Sequence, residues 1–255
     1  MSRHIARTTT RLACLTAAAL FAFTAVAAKA PAPTADTIVA DYLAARGGLA
    51  KIRSIQTLRQ TGHVYGDAGR QGLVMRELKR PGKIRFEFTV QGVTAAYVTN
   101  GTEGWQVSPF AGDLEAKPMP EDALTEAIEQ VDIEGPLVDW KAKGHHVELA
   151  GHEVVSGRDA YKLKLVLKSG SVRYEYIDVK TYLQVRTDST RQVRGQAVHL
   201  TTTYREHKRV KGVLFPSVIE VTAVERPQKL RVVVDTVEIN PPLPDTRFER
   251  AKKAQ

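Results

Sequence analysis

Cysteine is all but missing: Cys14 is the only one in 255 residues. One thiol makes no internal disulfide, and no Cys-x-x-Cys pair is present for a thiolate metal site. The motifs of common catalysis are missing too. There is no Gly-x-Ser-x-Gly elbow, no nucleophile in a loop with a histidine partner, and no glycine-rich phosphate loop. These absences argue against an enzyme and against any resident metal or cofactor. Long apolar runs are scarce as well. The longest, Leu12 to Ala28, has 17 residues, eight of them alanine, which is short for a spanning helix of about 20 strongly apolar residues.

That run is informative by its position. Arg3, Arg7 and Arg11 precede it without an acid, and small residues at Ala25, Ala27 and Ala28 close it. Positive flank, apolar centre and small-residue exit are the order of a cleavable secretory signal over residues 1–28. Cys14 lies at the start of the run, whereas a lipid-modified cysteine would lie at its end. The expected mature chain therefore holds no cysteine and is stabilised by its core alone. Residues 29–35, with Pro31-Ala32-Pro33, read as a short tether, 36–250 as one domain, and 251–255 as a tail.

The whole chain carries 37 Lys+Arg against 28 Asp+Glu. Loss of three arginines with the signal would leave 34 against 28, a net +6. The charges are interspersed, which reads as solvated strand faces. No nucleic-acid-binding motif is present, and an exported chain is not expected to meet nucleic acid. A modest attraction to anionic membrane surfaces fits the surplus.

Two periods organise the rest. Thr34 or Asp36 can cap a helix through about Arg46, with Ile38, Val39, Tyr42 and Leu43 on one stripe, and Gly47-Gly48 stops it. A second short helix is expected over Leu49 to Ile55. From Gln56 the period is two. Ile84, Phe86, Phe88 and Val90 alternate with Lys83, Arg85, Glu87 and Thr89; Tyr161, Leu163, Leu165 and Leu167 alternate with Lys162, Lys164 and Lys168. Turn signals such as Arg80-Pro81-Gly82, Asn100-Gly101, Gly151-His152 and Lys211-Gly212 divide these runs into about ten or eleven antiparallel strands. One of them is expected at 146–150, ahead of the Gly151 turn.

The strand pattern stops between Phe110 and Gly144. Glu121 to Val131 has Leu124, Ile128 and Val131 at helical spacing, then Gly135-Pro136 breaks it before Leu137, Val138 and Trp140. The expected fold is thus mainly β (α+β): a curved antiparallel sheet, an N-terminal helix and a helical insertion of about 30 residues. A sheet that long curls, and the insertion can cover its concave side.

The order of several motifs resembles a known family. Tyr42-Leu43-Ala44-Ala45-Arg46-Gly47-Gly48 ends the first helix, and Lys79-Arg80-Pro81-Gly82-Lys83-Ile84-Arg85 leads into a strand. Asn100-Gly101-Thr102-Glu103-Gly104-Trp105 precedes Pro109-Phe110. Then come Asp132-Ile133-Glu134-Gly135-Pro136-Leu137-Val138-Asp139-Trp140 and, near the end, Val237-Glu238-Ile239-Asn240. Together they resemble the LolA-like outer-membrane lipoprotein-sorting proteins of bacteria with two membranes. The resemblance implies an unclosed β-barrel around an apolar cavity with helices as a lid, a periplasmic location, and binding of lipid or lipoprotein acyl chains.

On that reading the cavity and lid residues are Phe86, Phe88, Trp105, Leu124, Ile128, Leu137, Trp140 and Leu165. Each also fits ordinary core, because alternation does not say which sheet face is the cavity. His145, His146 and His152 read as solvated strand ends; a site of His146, Glu148 and His152 is the metal alternative. The expected function is periplasmic binding and transport of acyl chains by a monomer, without covalent chemistry. The second reading is a sensor or interaction module of the same fold that regulates an envelope membrane protein. The third, a cell-envelope hydrolase, would need His146 or Asp178.

Overall fold

The computed structural model describes residues 32–69, 71–193, 196–225 and 229–250. The expected signal and the 251–255 tail lie outside them. Everything below belongs to the unit that begins at Pro33.

The first helix, α1 (Ala35–Ala45), starts at Thr34, whose hydroxyl accepts from the Thr37 amide while the Thr37 hydroxyl accepts from the Thr34 amide. Its stripe of Ile38, Val39 and Tyr42 is buried. Gly47 ends it at φ +124°, where a Cβ would stand 2.1 Å from the Gly212 carbonyl oxygen. Only glycine fits both the backbone and that approach. Gly47→Ala should therefore cost about 2 kcal/mol. That is roughly 4–8 °C in melting temperature for a domain of this size; an unchanged melting temperature in calorimetry would contradict this packing. The second helix, α2, is shorter than expected, Leu49–Arg53.

Thirteen strands follow. The first six are β1 (Thr57–Tyr65), β2 (Gln71–Lys79), β3 (Lys83–Val90), β4 (Val93–Thr99), β5 (Gly104–Ser108) and β6 (Asp113–Pro118). After α3 (Glu121–Gln130) and turns up to Gly144 come β7 (His146–Val155), β8 (Arg158–Val166), β9 (Val172–Asp178) and β10 (Gln184–Val193). The last three are β11 (Gln196–Val210), β12 (Val213–Ala223) and β13 (Lys229–Ile239). The count exceeds ten or eleven because no neighbours merge and because β6 lies in the stretch read as insertion. The 146–150 strand runs on to Val155: Gly151, at φ +139°, is a bulge within β7 and not a turn. Only 121–130 of the insertion is α-helical.

All pairs are antiparallel, in the order β6-β5-β4-β3-β2-β1-β13-β12-β11-β10-β9-β8-β7. The first and last strands are neighbours, and the sheet's two edges are the mid-chain strands β6 and β7. Flat, it would place β4 and β10, seven spacings apart, about 34 Å from each other at ~4.8 Å per strand. Yet α3, only ~15 Å long, reaches Tyr97 on β4 through Gln130 and Arg191 on β10 through Glu126. The sheet is therefore curled around α3 as an unclosed barrel.

One end of the barrel is packed shut. Ile38, Val39 and Tyr42 of α1 meet Leu137, Val147, Tyr161, Leu163, Leu165 and Ile177 in one cluster. Ile52 and Ile55 meet Leu58, Leu78, Ile84, Ile133, Val138 and Phe215 in a second. No helix among the described residues is long and apolar enough to cross a membrane.

Candidate ligand-binding site

Register decides which side chains face the interior. Leu58, Leu78 and Ile84 are core, so their row-mates two residues on point inward as well: Gln60, Arg76, Phe86 and Tyr97, then Val74, Phe88 and Ala95. Across the barrel the corresponding row runs Val232, Ile219 and Tyr204, with Val221, Thr202, Thr187 and Glu175 beside it. Val74, Phe86, Phe88, Ile219, Val221 and Val232 are all half-buried. They share the inner face of the curled sheet, beyond the closed end. Phe86 stacks on Tyr97 at 4.9 Å between centroids, and Phe88 lies 5.9 Å from Phe110.

The roof is α3, and it is held mainly by polar bonds. On the β9–β10 side Glu129 accepts from the Ser169 and Ser171 hydroxyls at 2.6 and 2.7 Å and pairs with Arg173 at 2.5 Å; Glu126 pairs with Arg191. Burial pushes the Glu129 pKa up, but its hydroxyl and guanidinium donors outweigh this and hold it low. On the β2–β4 side Tyr97 donates to the Gln130 side chain at 3.2 Å, and Arg76 donates to the Gln130 carbonyl at 2.9 Å.

The floor is polar. Glu175, 2% exposed, accepts from Thr187 at 2.6 Å and from Gln184, and Tyr204 lies 3.2 Å from the Thr187 hydroxyl. Burial raises the Glu175 pKa and pushes that of Tyr204 up to about 12.

The structure separates the eight residues expected to line the cavity. Phe86 and Phe88 lie half-buried on the inner face of the sheet. Leu124 rests over Gly104, where a Cβ would come within 2.8 Å of its Cδ1. Ile128 is 40% exposed, so the expected apolar stripe of α3 does not lie wholly on the sheet. Leu137 and Leu165 share the inward side but are sealed in the first core cluster, and Trp140 packs against that cluster with Lys141 over its ring. Trp105 is on the other face of the sheet. It pairs with Val98, which packs with Leu243 and Phe248 beneath the C-terminal segment. Sequence alternation could not separate these settings, because that segment creates a second apolar surface on the convex side. His145 accepts the Lys168 amide, His146 approaches exposed Glu148 at 3.9 Å, and His152 packs on Tyr161. Asp178 is tied to the Lys180 and Thr181 amides of its own turn.

The sequence reading passed over Arg76, Tyr97, Tyr204 and Glu175. A signal was present: Arg76 follows Gly72 and Val74 and precedes Leu78 on the inward row of β2, so a charge interrupts an apolar face.

No protein-family model and no curated protein matches this sequence. Solved structures do match it in shape. An outer membrane lipoprotein-sorting protein domain from Vibrio parahaemolyticus superposes with a TM-score of 0.58 at 14% identity, covering 83% of this chain and 94% of that one. A LolA superfamily protein from Nitrosomonas europaea gives 0.56 at 13% identity, covering 86% and 99%. This chain has the LolA-like fold. A DUF1329 family protein from Desulfovibrio piger ATCC 29098 shares it, with a TM-score of 0.58 at 14% identity over 84% and 97% of the two chains. In this LolA-like barrel the roof is the single helix α3, and it touches both halves of the sheet.

Proposed function

We propose that this protein binds the acyl chains of a lipid or lipoprotein in a trough along this inner face, outside the cytoplasm, and moves them without covalent chemistry. The observation that carries this reading is the row of half-buried apolar side chains on the inner face of an unclosed sheet, Val74, Phe86, Phe88, Ile219, Val221 and Val232, under a helix fastened by breakable polar bonds. An acyl chain of about 16 carbons costs on the order of 10 kcal/mol to keep in water at ~0.8 kcal/mol per CH₂. A trough that covers most of it removes that cost, and lifting α3 exchanges polar bonds for water with little net loss. Phe86, Phe88 and Leu124 are the proposed lining. The lipoprotein-sorting description of the Vibrio structure, and the family resemblance carried by the sequence motifs, support a periplasmic carrier.

The test is native mass spectrometry of the protein purified from cells, with organic extraction of any bound lipid. A co-purifying acyl lipid is expected. Leu124→Asp should reduce uptake of a fluorescent fatty acid at least about tenfold while shifting the melting temperature by only a few degrees. Ile128→Asp, at an exposed position, should change uptake less. A lipid-free protein that takes up no fatty acid would overturn the proposal.

A further inference from the structure

Three arginines stand at inward positions on β2, β9 and β10. Arg173 and Arg191 each meet a carboxylate of α3, at Glu129 and Glu126. Arg76 does not: among the described residues no carboxylate lies within 4.0 Å of it. Its acceptors are both neutral, the Gln130 carbonyl at 2.9 Å and the Gln60 side-chain oxygen at a long 3.4 Å. A guanidinium has five N–H donors, so three remain without a partner among the described residues. The group is half-buried beside the apolar row of Phe86, Phe88 and Val74, and burial lowers its pKa. A half-buried cation whose hydrogen-bond acceptors are all neutral is costly; Tyr97, Tyr204 and the Asp132 carboxylate, itself paired with Lys143, act on its charge without bonding it.

We propose that Arg76 receives the anionic head group, a carboxylate or a phosphate, of an amphiphile whose tail lies along the trough. The inference rests on the acyl-binding reading above and adds the chemistry of the head. An oxyanion accepts two guanidinium donors at once in planar geometry. The open N–H groups supply them while Nη2 keeps its bond to Gln130. A neutral head offers no charge to offset the buried cation.

The experiment displaces the neutral probe N-phenyl-1-naphthylamine from the full protein with three ligands of one tail length: laurate, dodecyl phosphate and 1-dodecanol. The wild type should bind one or both anions at least about tenfold more tightly than the alcohol. Arg76→Gln should bring that ratio close to one, and Arg76→Lys should keep part of it. Because Arg76 also holds α3, its loss could weaken all three ligands together; the ratio between them is insensitive to that. Laurate against dodecyl phosphate separates the two kinds of head. Equal affinities for anions and alcohol in the wild type, or a ratio that survives Arg76→Gln, would overturn the inference and leave the acyl trough standing. Inorganic phosphate displacing the probe as well as dodecyl phosphate would also overturn it. Failure of all three long-chain ligands to displace the probe would defeat the acyl-binding reading itself.

Discussion

Leu165→Ala should lower the melting temperature by roughly 6–12 °C, whereas Phe88→Ala should barely change it and should weaken acyl binding instead. Both side chains lie on inward rows of the same sheet, and both were expected as cavity residues. Leu165 is 0% exposed in the cluster around Ile38, Tyr42 and Leu163. Truncating such a leucine removes buried methyl groups and leaves a void, at about 3 kcal/mol, and each kcal/mol is worth ~2–4 °C in a domain this large. Phe88 is half-buried with Phe110 as its aromatic neighbour, so water or ligand can fill the space it vacates. Differential scanning calorimetry and a fatty-acid titration separate the two. Equal thermal losses would mean that the region beyond the closed end is core and not trough.

How much could be foreseen follows from the same pair. Strand alternation in Lys83 to Val90 placed Phe86 and Phe88 on one face correctly, because a period of two is a local property. Whether that face met a helix or an opening depended on where α1 docks, which no local pattern carries. Trp105 shows the limit most plainly: its outward position follows from a cap of Leu243 and Phe248, about 140 residues later in the chain. The strand β6 was hidden for a different reason. Asp113-Leu114-Glu115-Ala116-Lys117-Pro118 offers few β-branched residues and ends in proline, which an edge strand tolerates. Arg76 shows in the sequence only as a lone charge in an apolar row, and alternation alone does not separate a binding group from a solvated strand face.

Glu134→Gln should cost about 3 kcal/mol near neutral pH and almost nothing in acid. Glu134 is 6% exposed. It pairs with Arg80, and with Lys143 at 3.2 Å, while its carbonyl accepts from Arg46 at the end of α1 at 2.8 Å. It thereby joins the turns after α3 to both the helical end and the turn between β2 and β3. Removing it leaves two partly buried cations facing each other, a loss toward the lower end for broken buried pairs because both reach some solvent. Burial alone would raise its pKa, but the bonds from Arg80 and Lys143 outweigh burial and hold it below the ordinary 4.5. A carboxylate with a depressed folded pKa binds more protons unfolded than folded. Its contribution is complete above pH 4.5 and is lost as pH falls through the folded value. Urea titrations of both proteins from pH 7 to pH 3 should show two stability curves converging in acid. A gap that stays constant to pH 3 would refute the ion-pair account.

The neighbouring of β1 with β13 has a mechanical consequence. Since the first and last strands are stitched together, the one interruption of the sheet falls in mid-chain, and residues 119–145 tie one lip of it to the other. The aperture can widen without unzipping any strand ladder. It can widen only as far as that strap has slack, so the gap behaves as a purse mouth on a drawstring of fixed length.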